Sequence, residues 1–295
     1  MTKIQRAWES SLRGLFFACA AMSVLTTFGI IVVLVVESAG FFKEAPVVAF
    51  LTDTVWAPKT DQRYGILPLV CGTMMVAIGA LVIALPIGLA IAIYLSEYAS
   101  PTVRQITKPV LEVLAGVPTV VFGYFAITFV TPYILKPLFP NVGTLNAASA
   151  AIVVAIMIVP TICSLCDDAL RAVPGTLRHA AYALAATKLE VSTRVVLPAA
   201  LSGVIAAVLL ALARAIGETM AVALAAGLQP NLTLNPLEPM QTMAGYIVQI
   251  AGGDTPAGST EFYSIFAVGL MLFIITFSIN LVAQRVLGRF REAYE

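Results

Sequence analysis

Stretches free of Asp, Glu, Lys and Arg divide this chain into six long apolar segments. They cover residues 14–36, 64–96, 113–135, 137–166, 195–213 and 262–284. Each holds the roughly 20 apolar residues that cross a hydrocarbon core as a helix. The fifth continues past Arg214 and Glu218 to about Leu228, so that helix carries charge inside it. The pattern predicts spans near residues 15–36, 69–95, 110–131, 145–165, 199–228 and 264–287. The first run exceeds the ~7–15-residue core of a signal peptide, and no small-residue cleavage site follows a run of that length. It is expected to stay in the protein as a helix.

Composition agrees with the pattern. Hydrophobic residues make up 60% of the 295, charged residues only 11%, and mean hydropathy is +0.95. Soluble domains carry about 25% charged residues, so there is too little polar surface here to cover a water-soluble globule. The fold class expected is an all-α integral membrane protein, one six-helix transmembrane domain over residues 1–295. Lipid surrounds it, and no nucleic acid is expected among its partners.

Charge sets the orientation. With the N-terminus inside, 12 of the 17 Lys and Arg residues fall on the cytoplasmic side. Lys43, Lys59, Arg63 and Lys136 fall outside, and Arg214 lies within the fifth span. Basic residues favour the cytoplasmic side of a membrane protein, so both termini are read as cytoplasmic.

Three segments between spans are long enough to carry function. Residues 37–66 lie outside and hold Phe41, Phe42, Phe50 and Trp56; residues 167–198 are cytoplasmic; residues 229–262 lie outside. In the last, Met240, Met243, Ile247 and Ile250 recur at helical spacing. Such a helix either lies on the outer membrane surface or packs on the outer ends of the bundle. Pro86, Pro118 and Pro160 sit in or near the ends of spans, where proline bends a helix and neighbouring helices compensate. Cys163 and Cys166 form a CxxC at the inner end of the fourth span. With no second CxxC and no nearby His to complete a zinc site, they read as small packing residues.

Arg214 and Glu218 are the most informative pair. On a continuous helix their i, i+4 spacing puts them on one face, about 6 Å apart along the axis. A charge at mid-membrane costs roughly 2.5–3.5 kcal/mol on insertion scales. One reading is a self-neutralising ion pair that fixes packing. The other is a polar point on a solute pathway, and apolar residues would serve packing without the cost. A guanidinium presents a planar fork of donors that suits a tetrahedral oxyanion, whether phosphate, sulfate or molybdate. A proton-coupled secondary carrier, with Glu218 taking the proton, is the alternative from another class, and an anion channel a third. No clear pair of matching halves of the kind many secondary carriers show is present.

The cytoplasmic segment from Arg171 to Pro198 is polar, helical in propensity and interrupted at Pro174-Gly175. A surface-lying helix there suits docking to a cytoplasmic partner, and a plain connecting loop of this length is uncommon. The stretch resembles the EAA loop of ABC-importer permeases, whose pattern is Glu-Ala-Ala, three residues, Gly, nine residues, Ile-x-Leu-Pro. The matching positions are His179, Ala180, Ala181, then Ala185, then Val195, Leu197 and Pro198. The spacing is kept, with His in place of Glu and Ala in place of Gly.

Further blocks are similar to the PstC-type permeases of the phosphate-specific subfamily. They include Phe50-Leu51-Thr52, Trp56-Ala57-Pro58, Gly65-Ile66-Leu67-Pro68, Gly72-Thr73 and Leu95-Ser96-Glu97-Tyr98. The most specific are the runs from Glu112 to Gly123 and from Arg214 to Val222. The resemblance implies a subunit of a bacterial inner-membrane phosphate importer. It further implies a heterodimer with a second, related permease, two ATP-hydrolysing subunits that bind ATP and Mg, and an extracytoplasmic phosphate-binding protein. This chain has no Gly-Lys-Ser/Thr P-loop, and the lone His179 is read as a contact or surface residue. It is expected to be a non-enzymatic subunit without cofactor or metal of its own, coupled to its ATPase through the loop at 167–198.

Overall fold

A computed structural model describes residues 3–290; residues 1–2 and 291–295 of the expected domain lie outside the described residues. The chain begins with α1 (Lys3–Phe41), followed by the short α2 (Val47–Thr52) and a two-residue ribbon, β1 (Trp56–Ala57) against β2 (Arg63–Tyr64). Next come α3 (Leu67–Ile93), which ends in a π-helical turn at Tyr94–Tyr98, and α4 (Pro101–Ala115). α5 (Thr119–Phe125) widens into π-helix over Ala126–Leu135 and closes with α6 (Lys136–Leu138). α7 (Ala147–Ala172) leads to α8 (Gly175–Ala183) and α9 (Lys188–Glu190), then a π-helical stretch Val191–Val196 and α10 (Leu197–Ala199). α11 (Leu201–Ile216), α12 (Met220–Ala226), α13 (Met243–Ala251) and α14 (Thr260–Phe290) complete the order.

Five stretches are long and apolar enough to cross a membrane: Leu12–Phe41, Leu67–Tyr98, Thr119–Leu138, Ala147–Ala172 and Thr260–Arg285. The bent pair Lys188–Ala199 and Leu201–Ile216, which meet at 72°, makes a sixth when taken as one span. The all-helical, six-span architecture is the one the apolar pattern predicts.

The element boundaries differ from the hydropathy windows at three places, each for a local reason. The third span begins at Thr119 instead of residue 110. Val110, Leu111, Val113 and Leu114 belong to α4, an amphipathic helix with no buried residue, and Gly116-Val117-Pro118 interrupts the chain before α5. Proline suits the start of a helix and disfavours helical backbone in the residue before it. The fourth helix continues to Ala172, so the inner segment starts later than residue 167. Its added turns carry Asp167, Asp168 and Arg171, whose charge marks the inner surface without ending the helix. The fifth span is bent where α10 meets α11, and its helix stops at Ile216, resuming at Met220.

The core is built on small side chains. Ala80, Ala84, Gly88 and Ala92 repeat every fourth residue on α3, and all are buried. α7 packs along this stripe. A Cβ on Gly88 would meet Ile162 Cγ2 at 2.8 Å, and one on Gly79 would meet Ala151 Cβ at 3.1 Å. Membrane helices gain little from hydrophobic burial against one another, so close backbone approach through small residues is what holds such a pair.

The outer end is closed by an aromatic cluster. Phe41, Phe50, Trp56, Tyr64 and Tyr246 meet edge to face at centroid distances of 4.8–6.4 Å. The 37–66 segment is thereby folded onto α13 and α14. Arg63 Nε donates to Asp53 Oδ2 at 2.9 Å, bracing the ribbon and holding the Asp53 carboxyl below its ordinary range. Met240, Met243 and Ile250 are buried, so α13 packs on the bundle and does not lie on the membrane surface.

α5 and α12 also approach closely. A Cβ on Gly123 would meet Leu224 Cβ at 2.9 Å and Ala221 Cα at 3.1 Å. Backbone cannot yield as a flexible side-chain tip does, so Gly123→Val should push the two helices apart. Overpacking of this kind costs about 1–3 kcal/mol. The purified Gly123→Val chain should unfold in detergent several degrees below wild type. An unchanged midpoint would mean that α5 and α12 do not pack in this way.

Candidate functional site

The fifth span places its two charged residues differently from the i, i+4 helical pair expected. α11 ends at Ile216, and Gly217-Glu218-Thr219 separates it from α12. Arg214 and Glu218 therefore do not share a continuous helix face, and no ion pair joins them among the described residues. Each charge sits instead at the helix end that favours it. Arg214 is in the last turn of α11, where partial negative charge collects. Glu218 precedes α12, and its Oε1 lies 3.4 Å from the Ala221 amide, an orphan donor of the first turn.

Arg214 Nη1 donates to Thr161 Oγ1 at 2.9 Å. Thr161 lies in the middle of α7, which places it about 21 Å from the outer end of that helix and about 16 Å from the inner end at 1.5 Å per residue. The guanidinium is thus near mid-depth, and Arg214 is exposed on the surface of this chain. Glu218 is half-buried.

A second interruption, at 116–118, precedes α5. α5 and α12 both run from the inner side outward, and Gly123 rests against Ala221 and Leu224. The helices that follow the breaks at 116–118 and 217–219 therefore pack on one another. Breaks of this sort are tolerated in a membrane only where they are buried in protein or line a cavity.

The inner face carries the residues read as a coupling loop. α8 presents His179 and Ala180 to solvent while Ala181 turns inward. Ala185 follows in the left-handed region at φ 61°. That conformation is the one glycine adopts freely, which explains why the related pattern has Gly there. Thr187 and Glu190 form a reciprocal capping box that restarts the helix. Leu197 is half-buried and Pro198 exposed, both on α10 at the bend into the fifth span.

Two features of this face were not found by reading the sequence. Tyr182, Leu184 and Leu189 are exposed, Leu184 by 85%, so large apolar groups stand on the surface of this segment. The signal was available as large apolar residues inside an otherwise polar segment. Arg178 of α8 pairs with Glu97 of the π-helical turn at 2.9 Å. Eighty-one residues separate them, and no local pattern announces such a pair. Nearby, Asp167 is 1% exposed and takes Arg104 Nη2 at 2.7 Å, fastening α4 to α7, while Lys108 reaches Asp168 at 2.9 Å.

Among the described residues there is no group of three or more His, Cys, Asp or Glu that would hold a metal ion. Cys163 and Cys166 are buried and unpaired by disulfide, packed in the core of α7.

The chain is 34% identical over 276 residues to the probable ABC transporter permease protein YqgH of Bacillus subtilis, spanning 92% of this chain and 88% of that protein. It is 35% identical to the phosphate transport system permease protein PstC of Xylella fastidiosa, over 82% of this chain and 79% of that one. Among solved structures it resembles the MetNI methionine ABC transporter, with a TM-score of 0.57 at 17% identity over 77% of this chain and 95% of the other. A bacterial ABC transporter that imports the acidic polysaccharide alginate matches at a TM-score of 0.57 and 13% identity, covering 97% of this chain and 100% of that one. These last two share the fold. The model of the binding-protein-dependent transport system inner membrane component matches residues 84–292, which include both helix breaks, the α8 loop and the fifth span. The chain belongs to that family: it is an inner-membrane permease subunit of an ABC importer, and the ATPase activity lies in partner subunits.

Proposed function

We propose that this permease carries phosphate. It forms half of the pathway beside a second, related permease, in a complex with two ATP- and Mg-binding subunits and an extracytoplasmic phosphate-binding protein. The observation that carries the reading is Arg214, an exposed guanidinium near mid-depth with a hydroxyl beside it and no carboxylate within ion-pair distance among the described residues. Turned to lipid, such a charge costs roughly 2.5–3.5 kcal/mol or more. Turned to a path shared with a second permease, it offers a planar fork of donors to a tetrahedral anion. Similarity to permeases named for phosphate transport supports the choice of anion.

Glu218, one turn further out and next to the amides of the helix break, gives the path its selectivity. Near neutral pH phosphate retains a proton that a carboxylate accepts in a hydrogen bond. Sulfate has no such proton and meets only repulsion, so Glu218 disfavours the wrong anion.

The exposed apolar groups of Tyr182, Leu184 and Leu189 support α8 and its following turn as the docking surface for the ATPase, together with His179, Ala180 and Ala185. Ala181 turns inward and holds the helix in place. Leu197 and Pro198 connect this surface to the bend of the fifth span.

Uptake into vesicles reconstituted with the full complex tests the pathway. Arg214→Lys keeps the charge but loses the fork, and should reduce phosphate uptake at least tenfold. Glu218→Gln should narrow the preference for phosphate over sulfate, with assembly and ATP hydrolysis intact. Wild-type uptake and selectivity in both variants would remove the pair from the path.

Orientation is tested separately. Asp254, exposed in the turn after α13, is expected to be extracytoplasmic. A cysteine placed there should react with an impermeant reagent on intact cells; reaction only after lysis would invert the topology.

Ala185 gives a stability test. The left-handed conformation costs a non-glycine residue about 1–2 kcal/mol, whereas glycine loses about 0.4–1 kcal/mol through the freedom of its unfolded chain. Ala185→Gly should therefore gain about 0.5–1 kcal/mol, read as a higher thermal midpoint of the purified protein in detergent. A lower midpoint would show that Ala185 is unstrained.

A further inference from the structure

One side chain fastens the docking helix to the membrane helices. Arg178, in the middle of α8, turns its guanidinium inward: Nη2 donates to Glu97 Oε1 at 2.9 Å and to the Leu170 carbonyl at 2.8 Å. Nη1 donates to the Val173 carbonyl at 2.6 Å, and Nε lies 3.3 and 3.4 Å from the two Glu97 oxygens. Glu97 is 6% exposed and Arg178 19%. Leu170 and Val173 are at the C-terminal end of α7, where carbonyls lack helical partners. Glu97 belongs to the π-helical turn that ends α3. A single fork thus grips the inner ends of both helices of the tightest pair in the bundle.

The same π-helical turn makes a second contact with the cytoplasmic segment. Lys188 Nζ stands 4.8 Å above the ring of Tyr98, beyond the Ala185 turn. Both halves of the segment therefore reach back to one turn of α3. Such widened turns recur at functional sites in helices.

Apolar packing would hold α8 in place without the desolvation a buried charge pair demands. Apolar contacts, however, slide. A planar guanidinium held by a carboxylate and two carbonyls is fixed in direction, so a displacement of α8 is passed to α3 and α7 instead of being absorbed at the contact. We infer that the Arg178–Glu97 pair is the mechanical joint that carries movement of the docking helix into the membrane helices. Arg178 is a positioning residue, acting through Glu97 and the end of α7. The inference rests on the reading of α8 as the docking surface for the ATPase.

The test uses the complete complex in vesicles and measures the anion transported per ATP hydrolysed, with Leu184→Cys as a cross-linking reporter on the ATPase. The double variant Arg178→Gln/Glu97→Gln leaves no lone charge buried. It should assemble, cross-link from position 184 and hydrolyse ATP, while the transport-to-ATP ratio falls at least fivefold. Arg178→Lys, which keeps the charge without the fork, should cross-link and show a two- to fivefold lower ratio. Cross-linking with a wild-type ratio in the double variant would overturn the joint. Should the double variant fail to assemble, Arg178→Lys decides, and a wild-type ratio there overturns the joint equally. Failure of the Leu184→Cys reporter to link in an otherwise wild-type, active complex would instead overturn the docking reading itself.

Discussion

Inside a bilayer every backbone N–H and C=O must find its partner within the protein. An interrupted helix is therefore an expensive element, and the chain is interrupted at 116–118 and 217–219, before two helices that pack together. Their adjacency depends on one close approach, that of Gly123 to Ala221 and Leu224. A larger residue at 123 would push α5 and α12 apart. The same approach sets where Arg214 and Glu218 stand relative to the start of α5. The chemistry at mid-depth thus follows from a packing constraint several residues away from it.

Beneath the breaks, the α3–α7 pair acts as a platform. The Ala80, Ala84, Gly88, Ala92 stripe lets two long helices lie close along most of their length. Thr161 of α7 then reaches Arg214, and the inner ends of both helices supply the carboxylate and carbonyls that take Arg178. The mid-membrane charge and the cytoplasmic helix α8 are consequently referred to one common frame. α4 joins that frame from the side, through Arg104 to Asp167 and Lys108 to Asp168.

Much of this architecture was legible in the order of residues, and the part that was not has a definite physical character. Charge-free runs of about 20 or more residues located the spans because the cost of charge in hydrocarbon is large and local. Hydropathy is blind to where a helix stops. Val110, Leu111 and Val113 are as apolar as the span they precede, and only Gly116 and Pro118 mark the break. Gly217 marks the other, and with it the i, i+4 geometry assumed for Arg214 and Glu218 is lost. At Ala185 the likeness to a glycine-containing pattern carried real conformational content, since the backbone there is left-handed. The Arg178–Glu97 pair and the aromatic cluster over the outer end join residues tens of positions apart, and only the fold brings them together.

The distribution of charge bears on what the mid-membrane arginine is for. At the inner rim the buried carboxylates are matched: Glu97 with Arg178, and Asp167 with Arg104, Lys108 and Arg171. Those pairs tie element to element. Arg214 breaks the pattern, with Thr161 as its hydrogen-bond partner and no carboxylate within ion-pair distance among the described residues. The nearby carboxylate, Glu218, is turned toward the first amides of α12. A guanidinium serving only to lock packing would be neutralised as the rim charges are, because an unpaired charge in low dielectric is what packing avoids. A guanidinium left unmatched, exposed and braced by a neutral hydroxyl is suited to an anion from outside the chain, which supports the path proposed for phosphate.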